Sequence, residues 1–144
     1  MKRSLFLVCL LIAICLLCAC TYIEESDAKA LAEEYFSLLE AEKFDELISK
    51  SDLFIQDRDL PKEFERLEAK TGLDFQSGIA IKEYTAFEAH HSDSYYGKPL
   101  CNLTMKAVVG ETDTEIQLLI LEHEGELKVC RIYIYLDDEC YEIS

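Results

Sequence analysis

Residues 100–136 read LCNLTMKAVVGETDTEIQLLILEHEGELKVCRIYIYL, and this stretch decides the fold. Apolar and β-branched residues alternate with polar ones, the period-two pattern of half-buried strands. The runs are cut by Gly110-Glu111-Thr112-Asp113 and by His123-Glu124-Gly125, which read as turns and leave strands at about Leu100 to Val109, Thr114 to Leu121 and Glu126 to Leu136. A two-residue loop at Glu111-Thr112 sets Ile116 against Ala107, Leu118 against Met105 and Ile120 against Leu103. A three-residue loop with Gly125 left-handed sets Leu118 against Cys130, Ile116 against Ile132 and Thr114 against Ile134. Both registers gather Leu103, Met105, Ala107, Ile116, Leu118, Ile120, Cys130, Ile132 and Ile134 on one face, the expected core. The other face carries Thr104, Lys106, Glu115, Gln117, Arg131 and Tyr133, with an apolar patch of Leu119, Leu121 and Val129 at one end. Such a patch is either a partner surface or is covered by a loop or the C-terminal tail.

Upstream, the period-two pattern extends to a fourth strand, Ile79 to His90, and before Gly78 it turns helical. Ala28, Leu31, Ala32, Tyr35, Leu38 and Leu39 recur at three-and-four spacing, with Ser26 or Asp27 as cap. Phe44, Leu47 and Ile48 mark a second, short helix. Asp59-Leu60-Pro61 caps a third, which buries Phe64 and Leu67 and stops at Gly72. The expectation is an α+β fold: N-terminal helices packed on a curved four-stranded antiparallel sheet, one domain over residues 26–144.

The first residues have a different character. Lys2 and Arg3 precede an unbroken apolar run, Leu5 to Leu17, which is too short for a comfortable membrane span and has the layout of a signal peptide helix. It ends in Leu17-Cys18-Ala19-Cys20, and here the chain resembles the bacterial lipoproteins, whose lipobox sets Leu and small residues before a modified cysteine. The resemblance implies a signal peptide over residues 1–19, cleavage between Ala19 and Cys20, and transfer of a diacylglyceryl group, palmitate-like in its chains, to the Cys20 thiol. Residues 20–25 then form a short tether, and the protein is expected at the cell membrane, lipid-anchored on the extracytoplasmic side. The alternative is an ordinary signal peptide or uncleaved anchor in which Cys20 is incidental.

Of 144 residues, 29 are Asp or Glu and 14 are Lys or Arg, a formal charge of −15. Cleavage after Ala19 removes Lys2 and Arg3 and no acid, which makes the charge still more negative. That balance excludes nucleic acid as a partner and electrostatic adhesion to anionic lipid, since both demand Lys and Arg clusters. The partners expected are the membrane, through the lipid, and a protein or small ligand. Beyond the leader, Cys101, Cys130 and Cys140 remain, and the register keeps Cys101 and Cys130 too far apart for a bridge; unbridged, buried thiols are expected.

Beyond the leader, motifs that carry chemistry are missing: no serine nucleophile elbow, phosphate-binding glycine loop, Cys-x-x-Cys or His-Glu-x-x-His occurs after Cys20. No catalytic residue, metal ligand or cofactor is assigned. His90-His91 with Asp93 comes nearest to a ligand cluster, but neighbouring residues on a strand point to opposite faces.

Tyr35-Phe36-Ser37-Leu38-Leu39 before Lys43-Phe44-Asp45-Glu46-Leu47, with helices first and a long sheet after, is similar to the cystatin-like cone of the nuclear-transport-factor-2-like superfamily. That resemblance implies a sheet wrapped on a helix with a pocket at the open end, used for binding in some members and catalysis in others. The expected function is a non-catalytic binding or protein-interaction module. The alternative is a small cone-fold enzyme with an internal acid-base pocket, for which Glu83, Tyr84, Thr85 and His90 are the residues to inspect. A pocket over about 300 Å³ holding two convergent ionisable groups distinguishes the enzyme from a module with an apolar interior. The protease-inhibitor role of true cystatins lacks its Gln-x-Val-x-Gly loop.

Overall fold

Helix α1 (Glu25–Glu40) forms where three-and-four spacing lines up Ala28, Leu31, Ala32, Tyr35, Phe36, Leu38 and Leu39, all buried. This structure, a computed structural model, describes residues 22–56, 58–91 and 97–143. The signal segment with Ala19 and Cys20, and also Asp93, lie outside the described residues. Glu24 occupies the cap position of α1 without a side-chain cap bond, so neither Ser26 nor Asp27 is the cap. Glu25 and Asp27 sit in the first turn instead, where their charge complements the helix dipole. At the other end Lys43 N donates to Leu38 O and Glu42 N to Leu39 O, a Schellman pairing that holds Glu42 at φ 54°.

Short helices α2 (Phe44–Ser49) and α3 (Leu53–Gln56) follow, the latter without a sequence signal. In α4 (Leu60–Thr71) the expected devices are all present: the Asp59 carboxylate accepts from Lys62 N at 3.4 Å, Pro61 lies in the first turn, and Gly72 ends the helix. Phe64 of α4 meets Phe75 edge to face at 5.3 Å.

The sheet has five strands rather than the four expected: β1 (Ile79–His91), β2 (Pro99–Val109), β3 (Thr112–His123), β4 (Glu126–Leu136) and β5 (Glu139–Ile143). They form an open antiparallel meander in sequence order. The extra strand follows from Asp137 and Asp138, which take φ 49° and 66° and close a tight turn between Leu136 and Glu139. Two left-handed residues are what the twist of a hairpin requires, and Asp tolerates that conformation better than most.

Both inner turns differ from expectation. The β2–β3 loop is Gly110-Glu111, so Leu118 pairs with Leu103 and Ile116 with Met105, two residues away from the expected partners. Gly110 stands at φ 60° with space for a Cβ limited by Asp74 O at 3.3 Å, which selects glycine there. A shift of two preserves the faces. The β3–β4 loop is Glu124-Gly125, both left-handed, rather than a three-residue loop, and this one-residue change inverts the start of β4. A bulge opposite Leu119 and Ile120 restores the expected parity, so Leu118 pairs with Ile132 and Ile116 with Ile134.

The consequence is an exchange. Val129, expected on the outer face, belongs to the main core, and Cys130, expected in the core, joins Leu100, Leu119 and Leu121 in a smaller cluster. What holds the bulge is visible: Val129 N donates to Lys50 O, and Asp52 N donates to Val129 O at 2.8 Å. The α2–α3 junction therefore pairs with the part of β4 that β5 does not reach. The main core lies between the helices and one sheet face, and it contains every expected core residue except Cys130.

Candidate binding cleft

Asp27, Ala30, Leu31 and Glu34 follow one another at the spacing that puts them on one stripe of α1. That stripe faces Ser49 and Lys50 at the end of α2, and Glu126, Leu127 and Lys128 at the start of β4, across an open cleft of about 620 Å³. The walls are joined at the back. Lys128 Nζ donates to Ser49 O at 2.7 Å, and the Val129 backbone bonds to Lys50 and Asp52 lie directly behind it.

The charges of the cleft are arranged in pairs. Lys50 Nζ lies 2.9 Å from both carboxylate oxygens of Glu34, and Lys128 Nζ is 2.7 Å from Glu126 Oε2. The Lys128 ammonium, first by its hydrogen bond and then by its charge, holds the Glu126 carboxyl below the usual carboxylate range, with a further contribution from Lys50. Both lysines therefore act on one locus. Asp27 makes no side-chain hydrogen bond or ion pair with any described residue. Three carboxylates against two ammoniums leave the lining net negative. The Ser49 hydroxyl donates to Glu46 O of its own helix, so the lining presents charge and apolar surface rather than an activated nucleophile.

The residues inspected for catalysis lie elsewhere and do not converge. Glu83, Thr85 and His90 are exposed along β1; Glu83 is 3.8 Å from Lys106, and His90 is 3.7 Å from Glu88. Half-buried Tyr84 donates to Glu33 Oε1 at 3.3 Å and lies under Lys29 Nζ. Burial first, then the Glu33 charge, pushes its phenol up to about 12. The described helix–sheet interior is mainly apolar; its buried polar groups include Tyr35 with Ser51, Asp52 and Thr114. His123 meets Lys98 in the β3–β4 region and has Glu124 at 3.9 Å. Among the described residues no group of His, Cys, Asp or Glu is arranged to hold a metal ion.

Leu119, Leu121 and Val129, expected as an apolar interaction patch, are 7%, 2% and 0% exposed. They do not present an open surface, and Val129 is on the helix-covered side. Cys101, Cys130 and Cys140 are unpaired; the first two are buried and Cys140, expected buried, is exposed on β5. The cleft itself escaped the sequence reading. Its α1 stripe was visible, but Lys50 and Lys128 meet it only through the α2–β4 pairing, which leaves no local signal.

No described helix is long and apolar enough to cross a membrane. Compared with known family models, curated proteins and solved structures, the chain matches none.

Proposed function

We propose that this chain is a lipoprotein held at the extracytoplasmic side of the cell membrane by acyl chains on Cys20, and that its domain is a non-catalytic binding or protein-interaction module. The observation that carries the anchor is Leu17-Cys18-Ala19-Cys20 at the end of the Leu5 to Leu17 apolar run. Each buried methylene contributes about 0.8 kcal/mol, so a doubly acylated cysteine outweighs the repulsion of an acidic domain from an anionic surface. Ile23 packs in the core, and only Thr21 and Tyr22 separate it from Cys20. On this reading the domain rides close to the bilayer, with the first turn of α1 and the cleft beside the tether.

The binding role is supported by the cleft, whose volume of about 620 Å³ suits a small ligand. The cleft has both the size and the convergent ionisable groups expected of an enzyme pocket, but it lies outside the helix–sheet interior and its lysines are committed to glutamates as ion pairs. General acid-base catalysis favours a group whose pKa lies near the operating pH, whereas Glu126 is held below the usual carboxylate range. For the fold, we read the α+β domain as the cystatin-like cone of the nuclear-transport-factor-2-like superfamily, supported by α1 lying on one face of the meander.

Mass spectrometry of the membrane fraction tests the anchor. The expected product starts at Cys20 and carries diacylglyceryl, and Cys20→Ser moves the protein to the soluble fraction. An unmodified Cys20 or a retained Met1 to Ala19 segment overturns it.

A further inference from the structure

We infer that the cleft between α1, α2 and β4 binds a short, unblocked peptide of about three residues, with its ammonium at Asp27 and its carboxylate at Lys50 and Lys128. The inference rests on reading the domain as a binding module and is independent of the anchor.

The length follows from the helix. Asp27 and Glu34 lie seven residues apart on one stripe, about 10 Å at 1.5 Å per residue, and Glu34 marks the position of Lys50. An extended chain spans roughly 3.3 to 3.6 Å per residue, so three residues bridge the two ends. Between them the lining is Ala30, Leu31 and Leu127, an apolar floor for the middle side chain.

The charges match the ends of such a molecule. Asp27 has no described partner and offers a carboxylate to an ammonium. Lysine has three N–H donors. Lys50 commits two to the Glu34 oxygens, and Lys128 commits one to Glu126 and one to Ser49 O, so each retains a donor for an incoming carboxylate. The Lys50–Glu34 pair is open to solvent and Glu126 is exposed beside the more buried Lys128, and partly exposed ion pairs are worth little, so their rearrangement is a small cost. A purely anionic ligand meets the net negative lining, and a purely cationic one strands the lysine donors. A molecule with both signs about 10 Å apart satisfies both.

The test titrates alanyl-leucyl-alanine into the full-length chain in detergent micelles, followed by NMR of the Ala30, Leu31 and Leu127 methyl groups. Saturable shifts at these methyls are expected, with N-acetylation or C-amidation of the peptide each weakening binding about tenfold. Asp27→Asn should weaken the unblocked peptide about tenfold and leave the N-acetylated one unchanged. Lys50→Met should do the same with respect to C-amidation. Asp27 is exposed, so its variant keeps the fold and the test decisive if Lys50→Met unfolds. Blocked and unblocked peptides binding alike, shifts confined to the groove of Glu33, Phe36 and Ile79, or no saturable shift overturns the assignment. Loss of peptide binding with Cys20 still acylated, and with protein partners still cross-linked to the domain, removes this ligand alone.

Discussion

At the scale of single residues, Tyr35 and Ser51 show how one hydroxyl pair closes the core. Tyr35 is 0% exposed, and its phenol has Ser51 Oγ at 3.0 Å. Ser51 spends its own proton on Leu47 O, so the phenol is the donor. This makes the two truncations unequal. Ser51→Ala strands a buried phenol and should cost about 1–3 kcal/mol, whereas Tyr35→Phe leaves Ser51 bonded and should cost about 1 kcal/mol. Urea midpoints read the difference, and the reverse order would contradict the donor assignment. The sequence shows Tyr35 as one more position on an apolar stripe; Ser51, between two short helices, has no pattern to reveal its partner. The buried thiols add a pH dependence. Burial pushes Cys101 and Cys130 up to about 12, with the Asp52 charge adding to the effect at Cys130, and burial takes Tyr35 up to about 12. The folded chain thus keeps protons that the unfolded chain releases from about pH 9 upward, so stability is complete below that pH and falls as pH rises toward 12. Urea midpoints taken from pH 8 to 11 should fall, less steeply in Cys101→Val; a flat profile would count against burial as the cause. Of the three thiols, only Cys140 should react with iodoacetamide at pH 8.

At the scale of elements, the alternation of residues 100–136 identified strands and nearly all of the core, because face assignment depends on parity and the two-residue slip at β2–β3 conserves it. The β3–β4 hairpin departs from the three-residue loop expected because Glu124 adopts φ 54°, a conformation glycine takes freely and glutamate does not. The bulge that follows was not legible either: it depends on Lys50 and Asp52, which are remote in sequence from Val129 and bond only to its backbone. The fifth strand was missed for a third reason. Asp137-Asp138 looks like two more acids in an acidic chain, yet both are left-handed turn residues. The double substitution Asp137→Asn with Asp138→Gly installs the Asn-Gly pair that such a turn favours, and it should stabilise the protein by about 1 kcal/mol, since glycine carries no left-handed penalty. The variant also loses two negative charges, so the comparison belongs at about 0.5 M NaCl, where surface charge is screened. A gain in melting temperature that vanishes in salt would assign it to charge instead of turn geometry.

At the scale of the whole molecule, composition set one property that no element shows, the imbalance of 29 acids against 14 bases. The structure adds where the bases go. Lys29, Lys43, Lys50, Arg66, Lys106, Lys128 and Arg131 each face a carboxylate, and among the described residues most acids have no such ion pair. Salt acts on both populations in opposite directions. Screening weakens the ion pairs, but each has at least one exposed partner and is worth about 0–1 kcal/mol. Screening also relieves repulsion among the excess carboxylates, which grows with the square of the net charge and opposes the compact state throughout the molecule. The second effect should win, so the melting temperature rises by several degrees between about 10 and 300 mM NaCl. A falling melting temperature would mean that the ion pairs, including those lining the cleft, hold more of the fold than their exposure allows. The same repulsion acts between the domain and an anionic bilayer. On the proposed anchor, Cys20→Ser protein should therefore be excluded from anionic vesicles at low salt, and attachment of an acylated form should come from its acyl chains rather than from the domain surface.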